Sequence, residues 1–296
     1  MSPILVTGAR GFVGTHLRAH LAASGDEVAG IDRDVEITDR RALREAIPSD
    51  CTGIVHLGGL SHVGASFAEP EAYSRINAGG TAALLAAAAD AAPEAVVIVV
   101  STSDVYGVVD PSELPLDEAH PPRPVSPYAR SKVEAEQVAM LATERGQRVI
   151  VVRPFAHVGP GQSDQFVVPA VARRLLAARL AGEASIAVGD VSARRDLTDV
   201  RDVVRAYRLL LHHGRPGATY HVCSGVDVAI GDVVAALAQR IAPGVGLRVD
   251  PALMRPVEVP VLRGSFARLH EATGWEPRIP LATTLDDVVA WVSQST

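Results

Sequence analysis

The chain has 296 residues, 48% of them hydrophobic and 21% charged, with a formal net charge of −6, which describes a globular chain with ample core and excludes a disordered one. An acidic balance with no basic block argues against nucleic acid or an anionic membrane surface as partner, and no apolar run reaches the roughly 18 residues that a membrane span needs. Of the 28 basic residues a single one, Lys132, is lysine; arginine serves everywhere else, and only lysine offers a compact ammonium whose pKa burial can tune.

The N-terminus runs through Ile4–Val6 as a strand with no basic segment before it, so no signal peptide is expected. A helix follows over Gly14–Ser24, closed by Gly25, then strands at Val28–Ile31 and Ile54–Leu57. The alanine-rich Thr81–Ala92 reads as a helix, Ala95–Val100 as a strand, about Ser126 to Arg145 as a long helix, and Arg148–Val152 as a further strand. Strands that are apolar throughout, separated by helices, predict a doubly wound, Rossmann-type α/β fold with a parallel sheet covered on both faces. After Gly159-Pro160-Gly161 the texture changes. Helical patterns at about Asp164–Leu180, Val200–His212, Ile230–Ile241, Ser265–Ala272 and Leu285–Ser293 alternate with short strands and prolines. The expected division is therefore a first domain over residues 1–160 and a smaller, mostly helical lobe over 161–296, with room for its segments to return to the main sheet. Cys51 and Cys223 lack metal-ligand spacing, no other cluster suggests a metal, and the two read as reduced residues of a cytoplasmic protein.

Gly8, Arg10, Gly11, Phe12, Val13 and Gly14 fall between the first strand and the first helix. Glycines at this spacing allow a tight turn, close backbone approach to a pyrophosphate and close helix–strand packing, while the helix N-terminus offers amide donors. A dinucleotide is the ligand this pattern predicts. Asp32, ending the second strand, is placed to accept hydrogen bonds from an adenosine ribose, which favours NAD; Arg33 beside it would instead suit a 2′-phosphate, so NAD and NADP both stay open. Glu36 and Ile37 are expected beside the adenine.

Tyr128 and Lys132, four residues apart at the start of the long helix, share one helix face. An unperturbed tyrosine is a poor acid–base at neutral pH, and a neighbouring ammonium is expected to pull its pKa toward the working range. Upstream, Ser101-Thr102-Ser103-Asp104-Val105-Tyr106-Gly107 closes a strand at the end where ligands sit in open α/β sheets. A hydroxyl there can hold a carbonyl oxygen beside the tyrosine, whereas Ser101 alone reads as an ordinary turn residue.

Together Gly8-x-x-Gly11-x-x-Gly14, the Thr102–Gly107 segment and Tyr128-x-x-x-Lys132 resemble the extended short-chain dehydrogenase/reductases that act on nucleotide sugars, over nearly the whole chain. The resemblance implies a catalytic set of Thr102, Tyr128 and Lys132, with further cofactor contacts from Leu57, Gly58, Gly59, Asn77 and Pro154. In the second lobe, Arg153–Gln162, Arg195–Asp202, Arg255–Pro260 and Thr273–Pro277 resemble segments of GDP-mannose-type dehydratases and GDP-4-keto-6-deoxymannose reductases. That resemblance implies Arg173, Arg195 and Arg255 on the diphosphate and Glu258 on the nucleoside ribose. It also implies Ser103, Asp104, His157, Phe166, Val167 and Val188 along the sugar nucleotide.

The chain departs from the family in three places. Ala156 stands where asparagine is usual, Gly58-Gly59 replaces a small alanine pair, and the connection from Asp32 to Glu36 is short. The implied activity is NAD(P)H-dependent reduction of the 4-keto group of a nucleotide-linked 4-keto-6-deoxy sugar, GDP-linked by preference. A 4,6-dehydratase or 4-epimerase retaining its NAD is the alternative, weakened for the dehydratase because Asp104 is one methylene shorter than the glutamate such enzymes carry. A non-catalytic dinucleotide sensor would be expected to lose the Tyr128/Lys132 pair. The family further implies a homodimer through the helices around Thr81–Ala92 and Tyr128.

Overall fold

The computed structural model describes residues 2–254 and 259–294. Its centre is a six-stranded sheet in the order Val28–Ile31, Ile4–Thr7, Gly53–His56, Val96–Val100, Arg148–Pro154, Thr219–Val222, with every neighbouring pair parallel. Strand residues alternate between two cores, as the two-residue period of a strand requires. Val96, Ile98, Ile150 and Val152 pack toward the helices Phe12–Ala23 and Val200–His213. Val97, Val99, Val149 and Val151 pack toward Arg40–Ala46, Gly80–Ala91 and Pro127–Glu144. Both faces are covered, so the strands are apolar throughout.

The order reverses beside Ile4–Thr7, which opens a crevice at the carboxyl ends of Ile4–Thr7 and Gly53–His56. Two segments beyond residue 160 do come back to the sheet. The helix Val200–His213 covers one face, and Thr219–Val222 is the sixth strand, paired with Arg148–Pro154. The remaining lobe packs the helices Val167–Ala181, Ile230–Ile241 and Leu281–Gln294 around Leu175, Leu237 and Val288. A small sheet pairs Arg194–Asp199 with Ala156–Val158, Asp227–Ala229 and Val261–Leu262, and so joins the lobe to the end of the main sheet.

Element ends differ from the sequence expectation by a few residues. The first helix starts at Phe12 rather than Gly14, because Gly11 is its N-cap. Between the third strand and the alanine-rich helix, where apolar periodicity predicts nothing, lie short turns at Val63–Ser66 and Pro70–Tyr73 and a π-helical turn over Ser74–Gly79. That turn holds Asn77.

Candidate active site

A cleft of about 1300 Å³ runs from the crevice at the sheet's switch point, across the start of the Pro127–Glu144 helix, into the second lobe. The glycine loop forms its floor. Gly8 has φ +66°, and a Cβ there would sit 3.1 Å from the Leu57 and Gly58 backbone. A Cβ on Gly14 would fall 2.1 Å from the Gly8 carbonyl oxygen. Gly11 caps the helix without a side chain, so the first-turn amides of Phe12–Ala23 point into the cleft unblocked. An open amide cradle that only glycine can form fits a dinucleotide diphosphate. Arg10, Phe12, Val13, Arg33, Glu36, Ile37, Leu57, Gly58, Gly59 and Pro154 all line this half.

Asp32 accepts backbone hydrogen bonds from Arg10 (2.8 Å) and Arg33 (3.0 Å). These amides, with the two guanidinium charges, outweigh burial and hold its carboxyl below the usual range, so it is ionised at the cleft edge. The Arg10 guanidinium pairs most closely with Asp34, at 2.8 Å, and lies 4.0 Å from the Asp32 carboxylate. Asn77 does not reach the cleft. Buried, it accepts from the Leu60 amide at 2.8 Å and donates to the Leu60 carbonyl and to Ser131 Oγ. It thereby ties the 57–60 loop to the helix that carries Tyr128.

Tyr128 and Lys132 both line the cleft where its two halves meet. Ser126 caps their helix by accepting from the Ala129 amide at 3.1 Å, with Pro127 in the first turn. Thr102 caps the next short turn, accepting from the Asp104 amide at 3.2 Å, and its hydroxyl lies beside the Tyr128 phenol. Ser103 and Asp104 line the same wall. Burial pushes the Tyr128 phenol well above its ordinary value, the Asp104 carboxylate pushes the same way, and the Thr102 hydroxyl opposes them. The expected lowering by Lys132 is not what the geometry gives. The Lys132 ammonium donates to the Val100 carbonyl at 2.9 Å, and burial brings its own pKa down to about 8. In this state Tyr128 is a protonated acid.

Two buried arrangements behind the pair escape sequence reading. Thr7 Oγ1 accepts from the Gly58 amide at 2.9 Å and lies 2.8 Å from His56 Nδ1. Burial, aided by the Lys132 charge, takes His56 down to about 3, so the ring is neutral, and its Nδ1 shares one hydrogen bond with the Thr7 hydroxyl. Farther along, Arg153 grips Glu136 with two bonds of 2.9 and 2.7 Å, and its Nη1 donates to Tyr106 Oη at 2.8 Å. Ser101 donates to the same carboxylate at 2.5 Å. Ser101, read from sequence as a plain turn residue, is thus part of a buried network that locks strand ends to the Tyr128 helix.

The substrate half is built from scattered segments. His157 stacks on Phe12, with centroids 6.1 Å apart and planes at 9°, and burial lowers its pKa. Phe166, Val167, Val188 and Arg195 line the walls, and Arg195 Nη1 donates 2.9 Å to the Arg194 carbonyl. Ala156 lines the cleft. Arg173 lies elsewhere, its guanidinium 5.0 Å over the Trp291 ring; the next residue, Arg174, faces the cleft instead. Arg255 and Glu258 lie outside the described residues. Among the described residues no cluster suits a metal ion, and no helix is long and apolar enough to cross a membrane.

Fold and site together define an NAD(P)-dependent oxidoreductase of Rossmann type. Residues 4–223 match the model of the NAD dependent epimerase/dehydratase family, and the chain belongs to that family. It is 38% identical to the GDP-6-deoxy-D-mannose reductase of Pseudomonas aeruginosa, covering 98% of this chain and 97% of the relative. It is 27% identical to a GDP-mannose 4,6-dehydratase of Vibrio cholerae, covering 96% of this chain and 92% of the relative. Among solved structures, RMD from Pseudomonas aeruginosa complexed with NADPH superposes with a TM-score of 0.93 at 36% identity, covering 100% of both chains.

Proposed function

We propose that the protein reduces the 4-keto group of a nucleotide-linked 4-keto-6-deoxy sugar, with GDP-4-keto-6-deoxy-D-mannose giving GDP-6-deoxy-D-mannose as the favoured case. The observation that carries this reading is the placement of the buried Tyr128 phenol, with Thr102 and Lys132, where the glycine-loop half of the cleft meets the arginine-bearing half. The 38% identical reductase supports the choice of sugar.

In this reading the Gly8–Gly14 amides hold the cofactor diphosphate, Asp32 the adenosine ribose and Lys132 the nicotinamide ribose. The reduced cofactor supplies a hydride when bound. Thr102 orients the 4-oxygen, and Tyr128 gives it a proton as negative charge develops there. Lys132, four residues along the same helix from the phenolate left behind, is a compact point charge in a desolvated site. Asp32, fixed by two backbone amides and ionised, suits a free ribose 2′-hydroxyl and opposes a 2′-phosphate, which favours NADH.

A 4,6-dehydratase or 4-epimerase regenerates its cofactor, whereas a reductase consumes it. The test is NADH and NADPH oxidation against GDP-, dTDP- and UDP-linked 4-keto-6-deoxy sugars, with one cofactor oxidised per sugar reduced as the expected result. No net oxidation with any of the panel, or product formed without it, sinks the reductase reading. The same reading places the protein in the cytoplasm, in keeping with two buried free cysteines. It also pairs two copies through the Gly80–Ala91 and Pro127–Glu144 helices, the latter carrying exposed Met140 and Leu141. Light scattering at the mass of one chain would overturn the pairing.

A further inference from the structure

The helix Val167–Ala181 carries adjacent arginines that the fold sends in different directions. Val167, Ala170, Val171 and Arg174, three or four residues apart, form the stripe that lines the substrate half of the cleft. Arg173 is about 100° round the helix from Arg174. Its guanidinium covers Trp291 of the C-terminal helix Leu281–Gln294, where it serves packing.

Arg174 is held differently. Its Nη1 donates 3.0 Å to the Ala187 carbonyl, next to the cleft-lining Val188 and Gly189. Among the described residues its guanidinium enters no ion pair. A carbonyl at one corner of the planar fork fixes the plane and leaves the other donors oriented. Arg195 lines the same half of the cleft from the small sheet.

We propose that Arg174, and not Arg173, is the side chain of this helix that recognises acceptor oxygens on the nucleotide half of the substrate, working with Arg195. The assignment rests on the nucleotide-sugar reading above and names a specificity residue within it. Arg173 is committed to Trp291 and points away from any ligand in the cleft.

The test titrates GDP, UDP and dTDP by calorimetry into protein saturated with NADH. Arg174→Ala and Arg174→Gln should each weaken the best-bound diphosphate about tenfold or more, the usual loss for a charged hydrogen-bond donor. Arg173→Ala should stay within about twofold of the parent. The glutamine variant keeps a donor for the Ala187 carbonyl, and so separates lost recognition from local repacking. A loss shared by all three diphosphates identifies phosphate oxygens, and a loss confined to one base identifies its edge; both support the assignment. Parent-like affinity in both Arg174 variants, or an equal loss in Arg173→Ala, overturns it and leaves the proposed function standing. Failure of the parent protein to bind any of the three defeats the nucleotide-sugar reading itself, and this assignment falls with it.

Discussion

The two halves of the cleft are made by different means. The cofactor half is mostly main chain: Gly8, Gly11 and Gly14 supply amides and space, and Asp32 is pinned by two further amides. The substrate half is mostly side chain, drawn from the Val167–Ala181 helix, the Ser185–Val188 strand and the Arg194–Asp199 strand. A backbone site tolerates little change because the same atoms hold the fold. A side-chain site can be exchanged residue by residue, which is how one fold serves many sugar nucleotides. Substitutions in the first half should therefore disturb binding and stability together, and those in the second should move substrate affinity alone.

The largest effect is expected at the junction. Tyr128→Phe should lower turnover by roughly 10²- to 10⁴-fold while still binding cofactor, and Lys132→Arg should cripple turnover with the fold intact. Single-turnover rates beside a melting curve would show this, and near-parent turnover in Tyr128→Phe would remove the proton donor from the mechanism. Next is the strut behind the junction. Arg153→Met leaves the buried Glu136 carboxylate without its partner, a change that costs about 3–5 kcal/mol; denaturant unfolding measures it. Gly14→Ala comes third, since a methyl 2.1 Å from the Gly8 oxygen must force the loop apart, at roughly 1–3 kcal/mol and with weaker cofactor binding. If that variant binds NADH normally, the contrast between the halves is broken.

Acid should test the buried histidines. Burial holds His56, and also His221, which lies in the sixth strand against the Tyr106 hydroxyl, at about 3 in the fold, whereas the unfolded chain protonates them near 6.5. The unfolded state thus binds more protons below that value. Their contribution is complete above pH about 6.5 and is lost as pH falls toward 3, by at most roughly 1.4 kcal/mol per pH unit for each ring. Stability against pH in His221→Gln should show a shallower slope between about pH 6.5 and 5. The smallest effect is at the ribose. Asp32→Ala should shift preference from NADH toward NADPH by a few-fold without touching the sugar KM; an unchanged ratio would relieve Asp32 of that role.

The same contrast explains what could be read from the chain alone. The glycine loop and the Tyr128/Lys132 pair are contiguous or one helical turn apart, so their geometry is local and the spacing carries it. The main sheet announced itself through runs such as Val96–Val100, buried on both faces. Thr7 with His56, and Glu136 with Arg153, meet across different strands and helices, and no local spacing encodes such a meeting. Asn77 was legible by resemblance, but as a brace between loop and helix it does not face the cleft. The choice between Arg173 and Arg174 was within reach. Val167, Ala170 and Val171 already mark the stripe to which Arg174 belongs, but a pair of like residues hides which one shares it. The return of Thr219–Val222 to the sheet is a long-range pairing that four residues do not advertise.

The solitary lysine has a practical consequence. The protein carries one ε-amine, in the cleft and with a pKa of about 8, so near neutral pH a useful fraction is the free, nucleophilic base. Apart from the chain terminus, an acylating or aldehyde reagent has a single address, and cofactor that occupies the cleft should shield it. A protease that cuts only after lysine will part the unfolded chain at one bond, into an N-terminal piece ending at Lys132 and a C-terminal remainder. Labelling Lys132 blocks that cut, so the fraction of chains still cleaved after treatment with the reagent becomes a direct gauge of how full the cleft was, in a molecule that needs no engineered tag.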